Sequence, residues 1–287
     1  MYQFPIGVML DSFKLPAKEA IEKAAQLGAK GLQMYATKGE FAPENMNVQK
    51  RRELLDMVKS NGLMFSALCG DLGRGFGNRE LNAELIEKSK RILDLAKELE
   101  TNIVTTHIGV VPNDKNHERY KIMQEACFEL SRYADKMEAH FAIETGPEIA
   151  TTLKMFLDDL GSKGVAVNFD PANFVMVTGD DPVKGVYTLK DYIVHTHAKD
   201  GKKLRESNPE VVYRIIDEET NQGDAYIELP LGEGNVDFDN YLSALNDIGY
   251  KGFLTIEREV GENPSEDISK AIKFISEKLK RLKKENI

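Results

Sequence analysis

The sequence predicts an α/β fold built as a single (β/α)8 barrel, and three features of the chain support this. Short apolar, β-branched segments alternate with longer segments whose apolar residues recur every three or four positions, which is typical of βαβ units in a parallel sheet. Eight such strand segments can be counted. A length of 287 residues suits one barrel, so we expect residues 1–287 to form one domain.

The strand segments are short apolar runs, each followed by a longer helical one. They are Ile6–Leu10, Gly31–Tyr35, Met64–Cys69, Ile103–His107, Phe141–Glu144, Val165–Asp170, Tyr192–His197 and Gly252–Glu257. The amphipathic segments are Ala17–Leu27, Gln49–Ser60, Asn82–Leu99, Tyr120–Met137, Thr152–Leu160, Phe238–Ile248 and Ser265–Leu282. Glycines suited to end a helix follow four of them, at Gly28, Gly62, Gly161 and Gly249. This order indicates a closed TIM barrel.

Two connections depart from the regular pattern. Gly70–Gly77 is rich in glycine, and Lys199–Gly234 is far longer than an ordinary connection from strand to helix. Long loops of this kind commonly cover active sites. The glycine spacing fits neither a Walker pattern nor a dinucleotide fingerprint, so Gly70–Gly77 is predicted to be a mobile lid, from which Arg74 could reach an anionic substrate.

Composition and charge exclude several classes of protein. The net charge of -9 and the pI of about 5.3 repel a phosphate backbone, so nucleic acid is not expected as a partner. No apolar stretch approaches the length of a membrane span, and the amino terminus lacks the features of a signal peptide. Cys69 and Cys127 lie in apolar segments without paired spacing, which suits buried thiols in a reducing compartment. We therefore expect a cytoplasmic protein.

Polar side chains stand at the ends of five consecutive strand segments, where barrels of this kind carry their functional residues. These residues are His107, Glu144, Asp170, His197 and Glu257. Burying isolated charges there costs several kcal/mol unless they are paired or bind a cation. The sequence therefore predicts a divalent metal ion held by Glu144, Asp170, His197 and Glu257.

Three carboxylates and one imidazole form a mostly oxygen donor set, which favours Mn²⁺, with Mg²⁺, Co²⁺ or Zn²⁺ as alternatives. Other residues near the strand ends are candidates for substrate binding. His107 could bind a hydroxyl group, Gln33 could contact the substrate from the second strand, and Lys199 could hold a phosphate or an oxyanion. Each could equally be a packed or solvated polar residue. Glu148 is expected to lie at the start of the following helix.

Four local patterns carry a resemblance to a known family. They are NFDPAN at Asn168–Asn173, HTHAKD at His195–Asp200, LGEG at Leu231–Gly234 followed by VDF, and TIERE at Thr255–Glu259. They resemble the xylose-isomerase-like TIM-barrel superfamily over nearly the whole chain, in particular the branch called sugar phosphate isomerase/epimerase. The resemblance implies a small carbohydrate substrate, and barrel relatives often pair, so a homo-oligomer is expected.

The resemblance also implies roles for individual residues. Glu144 and Glu257 would bind the metal and act as acid and base, transferring a proton through a metal-stabilised enediolate. His195 lies two residues before His197 and is expected to be a supporting or packed histidine. Asn173 departs from the pattern, since the epimerases and endonuclease IV have histidine there; an amide can bind a sugar hydroxyl but is a poor metal ligand.

Isomerase or epimerase activity is therefore the first functional hypothesis. The alternative is a metal-dependent lyase or dehydratase acting on a keto sugar or keto glycoside, because the same enolisation expels a β-leaving group when one is present. An endonuclease IV-like nuclease is less well supported, since it needs a multi-metal cluster, while this chain has five histidines in all. Because the chain has all four residues of the predicted ligand set, a metal-free binding protein is not expected.

Overall fold

Eight parallel strands close into a barrel in the computed structural model, which describes residues 2–217 and 223–285. The barrel strands in chain order are β1 (Ile6–Met9), β2 (Gly31–Tyr35), β3 (Met64–Cys69), β4 (Ile103–Thr106), β5 (His140–Glu144), β6 (Val165–Phe169), β7 (Ile193–Ala198) and β10 (Leu254–Ile256). Two further strands, β8 (Asp200–Lys203) and β9 (Tyr226–Leu229), pair with each other outside the barrel. The order around the barrel is β1-β10-β7-β6-β5-β4-β3-β2. The predicted fold is confirmed.

Helices fill the connections between the barrel strands. They are α1 (Ala17–Gln26), α2 (Val48–Ser60), α3 (Arg79–Glu98), α4 (Glu118–Lys136), α5 (Ala150–Leu160), the three-residue α6 (Pro171–Asn173), α7 (Pro182–Leu189), α8 (Pro209–Val212), α9 (Phe238–Asp247) and α10 (Pro264–Glu285). The four glycines predicted to end helices all have positive φ: 88° at Gly28, 71° at Gly62, 58° at Gly161 and 74° at Gly249.

Helix α7 was missed by the sequence prediction, and its interior explains why. Gly185 lies in the middle of the helix, where glycine lowers helical propensity. A Cβ there would meet the rings of Phe169 and Phe174 at 3.2 and 3.3 Å, so the helix packs closely on the barrel. Asp181 caps the helix by accepting hydrogen bonds from the backbone N–H groups of Val183 and Lys184. Tertiary packing and the cap therefore outweigh the weak local pattern.

The connection at Lys199–Gly234 was predicted to be a long loop, and the structure corrects this. It contains the antiparallel hairpin of β8 and β9 together with the short helix α8. More than twenty residues separate the two hairpin strands, so no short turn signal marks their pairing. The hairpin lies outside the barrel sheet.

The strand ends also differ slightly from the prediction. His107 follows directly after β4, Asp170 after β6 and Glu257 after β10, so none of the three lies within its strand. Each is instead the first residue of a connecting segment. The polar positions remain at the carboxyl rim of the barrel, as predicted.

One continuous apolar core joins the strands to the surrounding helices. It includes Ile21 and Leu93 from the helices and Leu32, Phe141 and Val167 from the strands, all of them buried. The polar residues buried inside the barrel include Gln33, Thr105, Asn168 and His195. These four polar residues lie within β2, β4, β6 and β7, respectively.

Two further sequence predictions concern the cysteines and the membrane. Cys69 and Cys127 are both buried and free. Among the helices of the described residues, none is both long and apolar enough to cross a bilayer.

Replacing Gly164 with alanine is expected to destabilise the fold by about 2–3 kcal/mol. A Cβ at this position would lie 2.1 Å from the backbone oxygen of Ser131 and 2.9 Å from the backbone nitrogen of Asp135, so α4 would have to move. The matched change Gly161→Ala meets no atom within 4 Å and strains only a left-handed turn, at a cost of about 1 kcal/mol. Urea denaturation of both variants checks this, and equal losses would contradict it.

Candidate metal centre and adjoining cavity

Four side chains meet at the carboxyl rim because the strands that carry them are neighbours in the barrel. Glu144 ends β5, Asp170 follows β6, His197 lies in β7 and Glu257 follows β10. All four are buried, and one candidate ligand atom from each lies within 4.8 Å of all the others. The structure thus brings together the four residues predicted to bind a metal.

The ring of His197 is oriented by contacts on both of its nitrogens. Nδ1 lies 3.4 to 3.5 Å from one carboxylate oxygen of each acidic member of the cluster. Nε2 lies 3.0 Å from Oε1 of Gln33, whose Nε2 donates to Oγ1 of Thr105 at 2.8 Å. A proton on Nε2, donated to Gln33, leaves the lone pair of Nδ1 facing the carboxylates, which is the tautomer that a metal ligand requires.

The charges of the cluster fit a bound cation. Burial alone would lower the pKa of His197, but the carboxylates of Glu257, Glu144 and Asp170 outweigh it and raise that pKa well above its ordinary value. The cluster therefore favours positive charge at its centre. Three carboxylates and one imidazole are donors suited to a divalent cation such as Mn²⁺ or Mg²⁺.

Two asparagines hold the carboxylate of Glu144. Nδ2 of Asn173 donates to Oε1 at 3.0 Å, and Nδ2 of Asn168 donates to Oε2 at 3.2 Å. Oδ1 of Asn168 accepts from Nδ1 of His195 at 2.8 Å, and Nε2 of His195 in turn lies 2.9 Å from Oγ1 of Thr255. His195 is thus one hydrogen bond further from the cluster than Asn168.

The two carboxylate oxygens of Asp170 make different contacts. Oδ1 accepts hydrogen bonds from the backbone N–H groups of Ala172 at 2.8 Å and Asn173 at 3.0 Å. Oδ2 points towards Nδ1 of His197 at 3.4 Å. The backbone of Asp170 is fixed by Thr145, whose hydroxyl accepts from its N–H at 2.8 Å. Capping the short helix α6 therefore orients the oxygen that faces the cluster.

Lys199 connects the cluster to the β8–β9 hairpin. Its Nζ lies 3.0 Å from Oε2 of Glu257, contacts the carboxylate of Glu259, and lies 3.8 Å from Oε2 of Glu228 on β9. Oε1 of Glu228 also accepts from Nη1 of Arg258 at 2.6 Å. Burial favours the neutral form of Glu257, but Lys199 and His197 outweigh burial and hold its pKa well below the ordinary value. Glu257 is therefore ionised.

A cavity of about 200 Å³ lies against the cluster. Its lining includes Tyr35, Asp71, His107, Asn173, Lys199 and Tyr213. Nδ1 of His107 lies 3.1 Å from Oδ2 of Asp71, and Nε2 lies 3.7 Å from Oε1 of Glu144. Three of the predicted substrate-binding residues, His107, Asn173 and Lys199, thus line the cavity. The fourth, Gln33, is fully buried and is absent from the lining.

Several residues of the site were missed from the sequence. Asp71 could have been found, since it stands two residues after β3 at the same rim as the other polar positions. Asn168 could also have been found, because it lies two residues before Asp170 and so faces the same side of the strand. Glu228 and Tyr213 had no local signal, because their positions depend on the fold of the hairpin insertion.

Glu148 does not have the helix role that was expected of it. Its Oε2 accepts from the backbone N–H of Val111 at 3.0 Å, whereas the first N–H of α5 is bound by Asp180. Its Oε1 is buried without a hydrogen-bond partner. Burial raises the pKa of Glu148 to about 8, against the weaker opposing effect of the Val111 hydrogen bond.

Glu148→Gln is expected to stabilise the protein increasingly as the pH rises from about 5 to 8. The folded carboxyl keeps its proton in this window while the unfolded chain, with its lower pKa, has released it. Stability of the parent protein is therefore lost as the pH rises, and an uncharged amide removes that loss. Unfolding free energies at pH 5 and pH 8 measure the difference, and identical pH dependence in both proteins would contradict the expectation.

The fold and the site together define a (β/α)8 barrel with a buried cluster of three carboxylates and one imidazole, suited to a divalent metal ion, at the carboxyl ends of its strands. The family model described as Xylose isomerase-like TIM barrel matches residues 21–278, and the chain belongs to that family.

Known proteins of several kinds are similar to this chain over nearly its whole length. An inosose dehydratase of Clostridium beijerinckii is 23% identical over 301 aligned positions, covering 96% of this chain and 95% of that protein. The solved structure of a D-tagatose 3-epimerase-like protein matches with a TM-score of 0.76 and 18% identity, covering 99% of this chain and 100% of that one. A xylose isomerase-like TIM barrel protein from Mycobacterium smegmatis, solved in complex with magnesium, matches with a TM-score of 0.73 and 16% identity, covering 98% and 99%.

Proposed function

We propose that the protein is a divalent-metal-dependent sugar isomerase or epimerase. The observation that carries this proposal is the pair of carboxylates, Glu144 and Glu257, that meet at one cluster from strands separated by two others in the barrel. Both line the adjoining cavity. Two carboxylates that approach a substrate from different sides can remove a proton on one side and return it on the other.

A divalent cation bound by Glu144, Asp170, His197 and Glu257 would polarise a substrate carbonyl and lower the barrier to removing the adjacent proton. Glu257 is suited to accept that proton as a carboxylate, because Lys199 keeps it ionised while it faces the cavity. Glu144 would exchange a proton on the other side, held in place by the amides of Asn168 and Asn173.

The remaining polar groups of the cavity would orient the hydroxyl groups of the substrate. His107 offers Nε2, which is buried without a hydrogen-bond partner, while its other nitrogen is held by Asp71. The ammonium of Lys199 and the amide of Asn173 line the same space. We propose a different role for Gln33, which fixes the ring of His197 and has no access to the cavity.

A dehydratase acting on a keto sugar is the second candidate. Full-length similarity to an inosose dehydratase favours it. The chemistry is closely related, because removal of the same proton leads to elimination when a hydroxyl group stands at the β position. In that case the residues named above would carry out the same first step, removal of the proton, and a different second step, elimination.

The two functions can be separated by incubating the manganese-loaded protein in D₂O with ketohexoses and, in parallel, with an inosose. Deuterium incorporated next to the carbonyl of recovered sugar, without loss of water, supports the isomerase or epimerase. An unsaturated or diketone product from the inosose supports the dehydratase. If all substrates are recovered unlabelled and intact although manganese is bound, the proposal is wrong.

A further inference from the structure

Three tyrosines line the cavity beside the cluster, and their hydroxyl groups differ from those of the other tyrosines. The three are Tyr35, Tyr213 and Tyr226. The chain has ten tyrosines, and each of the remaining seven donates its hydroxyl group to a protein acceptor. Within residues 2–217 and 223–285, the hydroxyl groups of the three cavity tyrosines have no hydrogen-bond partner. A molecule in the cavity can therefore accept hydrogen bonds from them.

Exposure to water separates Tyr226 from the other two. Tyr226 is 39% exposed, so water can satisfy its hydroxyl group. Tyr35 and Tyr213 are only partly exposed. Tyrosine hydroxyl groups that are withdrawn from water usually find a hydrogen-bond partner. The fold supplies none to Tyr35 or Tyr213, so both hydroxyl groups are free to bind a ligand in the cavity.

Tyr35 is the last residue of β2 and lines the cavity together with Glu257. Its backbone N–H donates to Oδ2 of Asp11 at 3.1 Å, which fixes the end of the strand. The sulfur of Cys69, burial, and the carboxylate of Glu257 raise the pKa of Tyr35 far above its ordinary value. The phenol therefore keeps its proton and is a hydrogen-bond donor on the side of β2.

Tyr213 follows directly after α8 and lies on the side of Glu144. The centroid of its ring is 5.3 Å from that of His107. A Cβ at Gly146, two residues after Glu144, would lie 3.1 Å from the hydroxyl oxygen of Tyr213. Burial raises the pKa of Tyr213 well above its ordinary value, and the carboxylate of Glu144 acts in the same direction. This phenol is therefore a second hydrogen-bond donor, on the side of β5.

The segment that carries Tyr213 is anchored to the barrel. Oδ1 of Asn208 accepts from the backbone N–H of Glu210 at 2.9 Å and so caps α8. The carboxylate of Glu210 forms an ion pair with Arg119 in the first turn of α4. Arg214 has a left-handed φ of 55°, which turns the chain directly after Tyr213. The position of Tyr213 is therefore set by the fold of the segment between β8 and β9.

We infer that Tyr35 and Tyr213 determine substrate specificity by donating hydrogen bonds to two different oxygens of one bound ketone. The inference rests on the proposed function, in which the carbonyl group of the substrate lies at the cluster. Tyr35 approaches from β2 and Tyr213 from the side of β5, and β3 and β4 separate these strands in the barrel. The two phenols can thus meet hydroxyl groups on either side of that carbonyl. A site built in this way rejects an analogue that lacks these hydroxyl groups.

Calorimetric titration of the full-length, manganese-loaded protein with D-fructose and with scyllo-inosose tests the inference. Tyr35→Phe and Tyr213→Phe each keep the ring and lose the hydroxyl group, so each is expected to weaken binding of the ketone by about fivefold, the effect of one hydrogen bond. The double variant should lose about 25-fold, because the two bonds go to different oxygens. The affinity for Mn²⁺ and the thermal unfolding midpoint should not change, since neither hydroxyl group has a partner in the described part of the fold.

Tyr187→Phe is the matched control. It removes a hydroxyl group outside the cavity, bound to Oδ2 of Asp247 at 2.8 Å, and should retain the affinity of the parent protein for the ketone. Cavity variants that bind the ketone as tightly as this control would overturn the inference, as would a double variant no weaker than either single variant. So would a loss matched by an equal loss of Mn²⁺ affinity, which marks a structural role. If the manganese-loaded parent binds neither ketone, the proposed function fails together with the inference.

Discussion

Glu257→Gln is expected to lower the rate of metal-dependent proton exchange by about 10²- to 10⁴-fold, the range that a positioned acid or base contributes. Glutamine has the same shape, so the fold should persist. It cannot accept the proton, however, and it replaces an ionised oxygen that lies 3.0 Å from Nζ of Lys199 and 3.4 Å from Nδ1 of His197. The loss should appear in turnover and not only in substrate affinity.

The measurement is deuterium exchange at saturating Mn²⁺, so that weaker metal binding by the variant does not limit the rate. Glu262→Gln provides the control, since Glu262 is exposed in the loop that follows and has no place in the cluster. That control should exchange at the parent rate. An unaltered rate in Glu257→Gln with metal bound would refute the assignment of Glu257 as an acid-base residue.

Asp170→Asn is expected to abolish stabilisation by Mn²⁺ while leaving the metal-free protein about as stable as the parent. In the absence of metal, Asp170 repels the other two carboxylates of the cluster but attracts the imidazolium of His197, so the two effects of removing its charge oppose each other. The amide oxygen of asparagine can still accept hydrogen bonds from the backbone N–H groups of Ala172 and Asn173, so the cap of α6 is kept. The loss is then confined to metal affinity.

Thermal unfolding with and without Mn²⁺ measures this effect. At a metal concentration about 100 times the dissociation constant, the parent should gain about 2.7 kcal/mol, and Asp170→Asn should gain almost nothing. Asp56→Asn, an exposed change on α2, should keep the full gain. A variant that still responds to Mn²⁺ like the parent, or that is strongly destabilised without metal, would contradict the account.

The barrel and its ligand set could be predicted from the sequence because both depend on local order. Glu144, Asp170, His197 and Glu257 stand at strand ends, and parallel strands place their carboxyl ends at one rim. Alternation along a strand similarly marks Asn168 as facing the same side as Asp170. These features are visible without knowledge of distant contacts.

The second layer of the site could not be predicted, because it depends on contacts between distant segments. Gln33 was assigned to the substrate, yet it meets His197 across the barrel, 164 positions along the chain. Glu228 and Tyr213 reach the cavity only through the hairpin of β8 and β9, whose pairing has no short turn to reveal it.

Diffraction at the manganese absorption edge, from crystals grown with Mn²⁺, tests the central claim most directly. One anomalous peak is expected at bonding distance from Nδ1 of His197 and from carboxylate oxygens of Glu144, Asp170 and Glu257. Nε2 of His197 is expected to stay hydrogen-bonded to Gln33. A rim without manganese under these conditions, or a metal bound through other side chains, would contradict it.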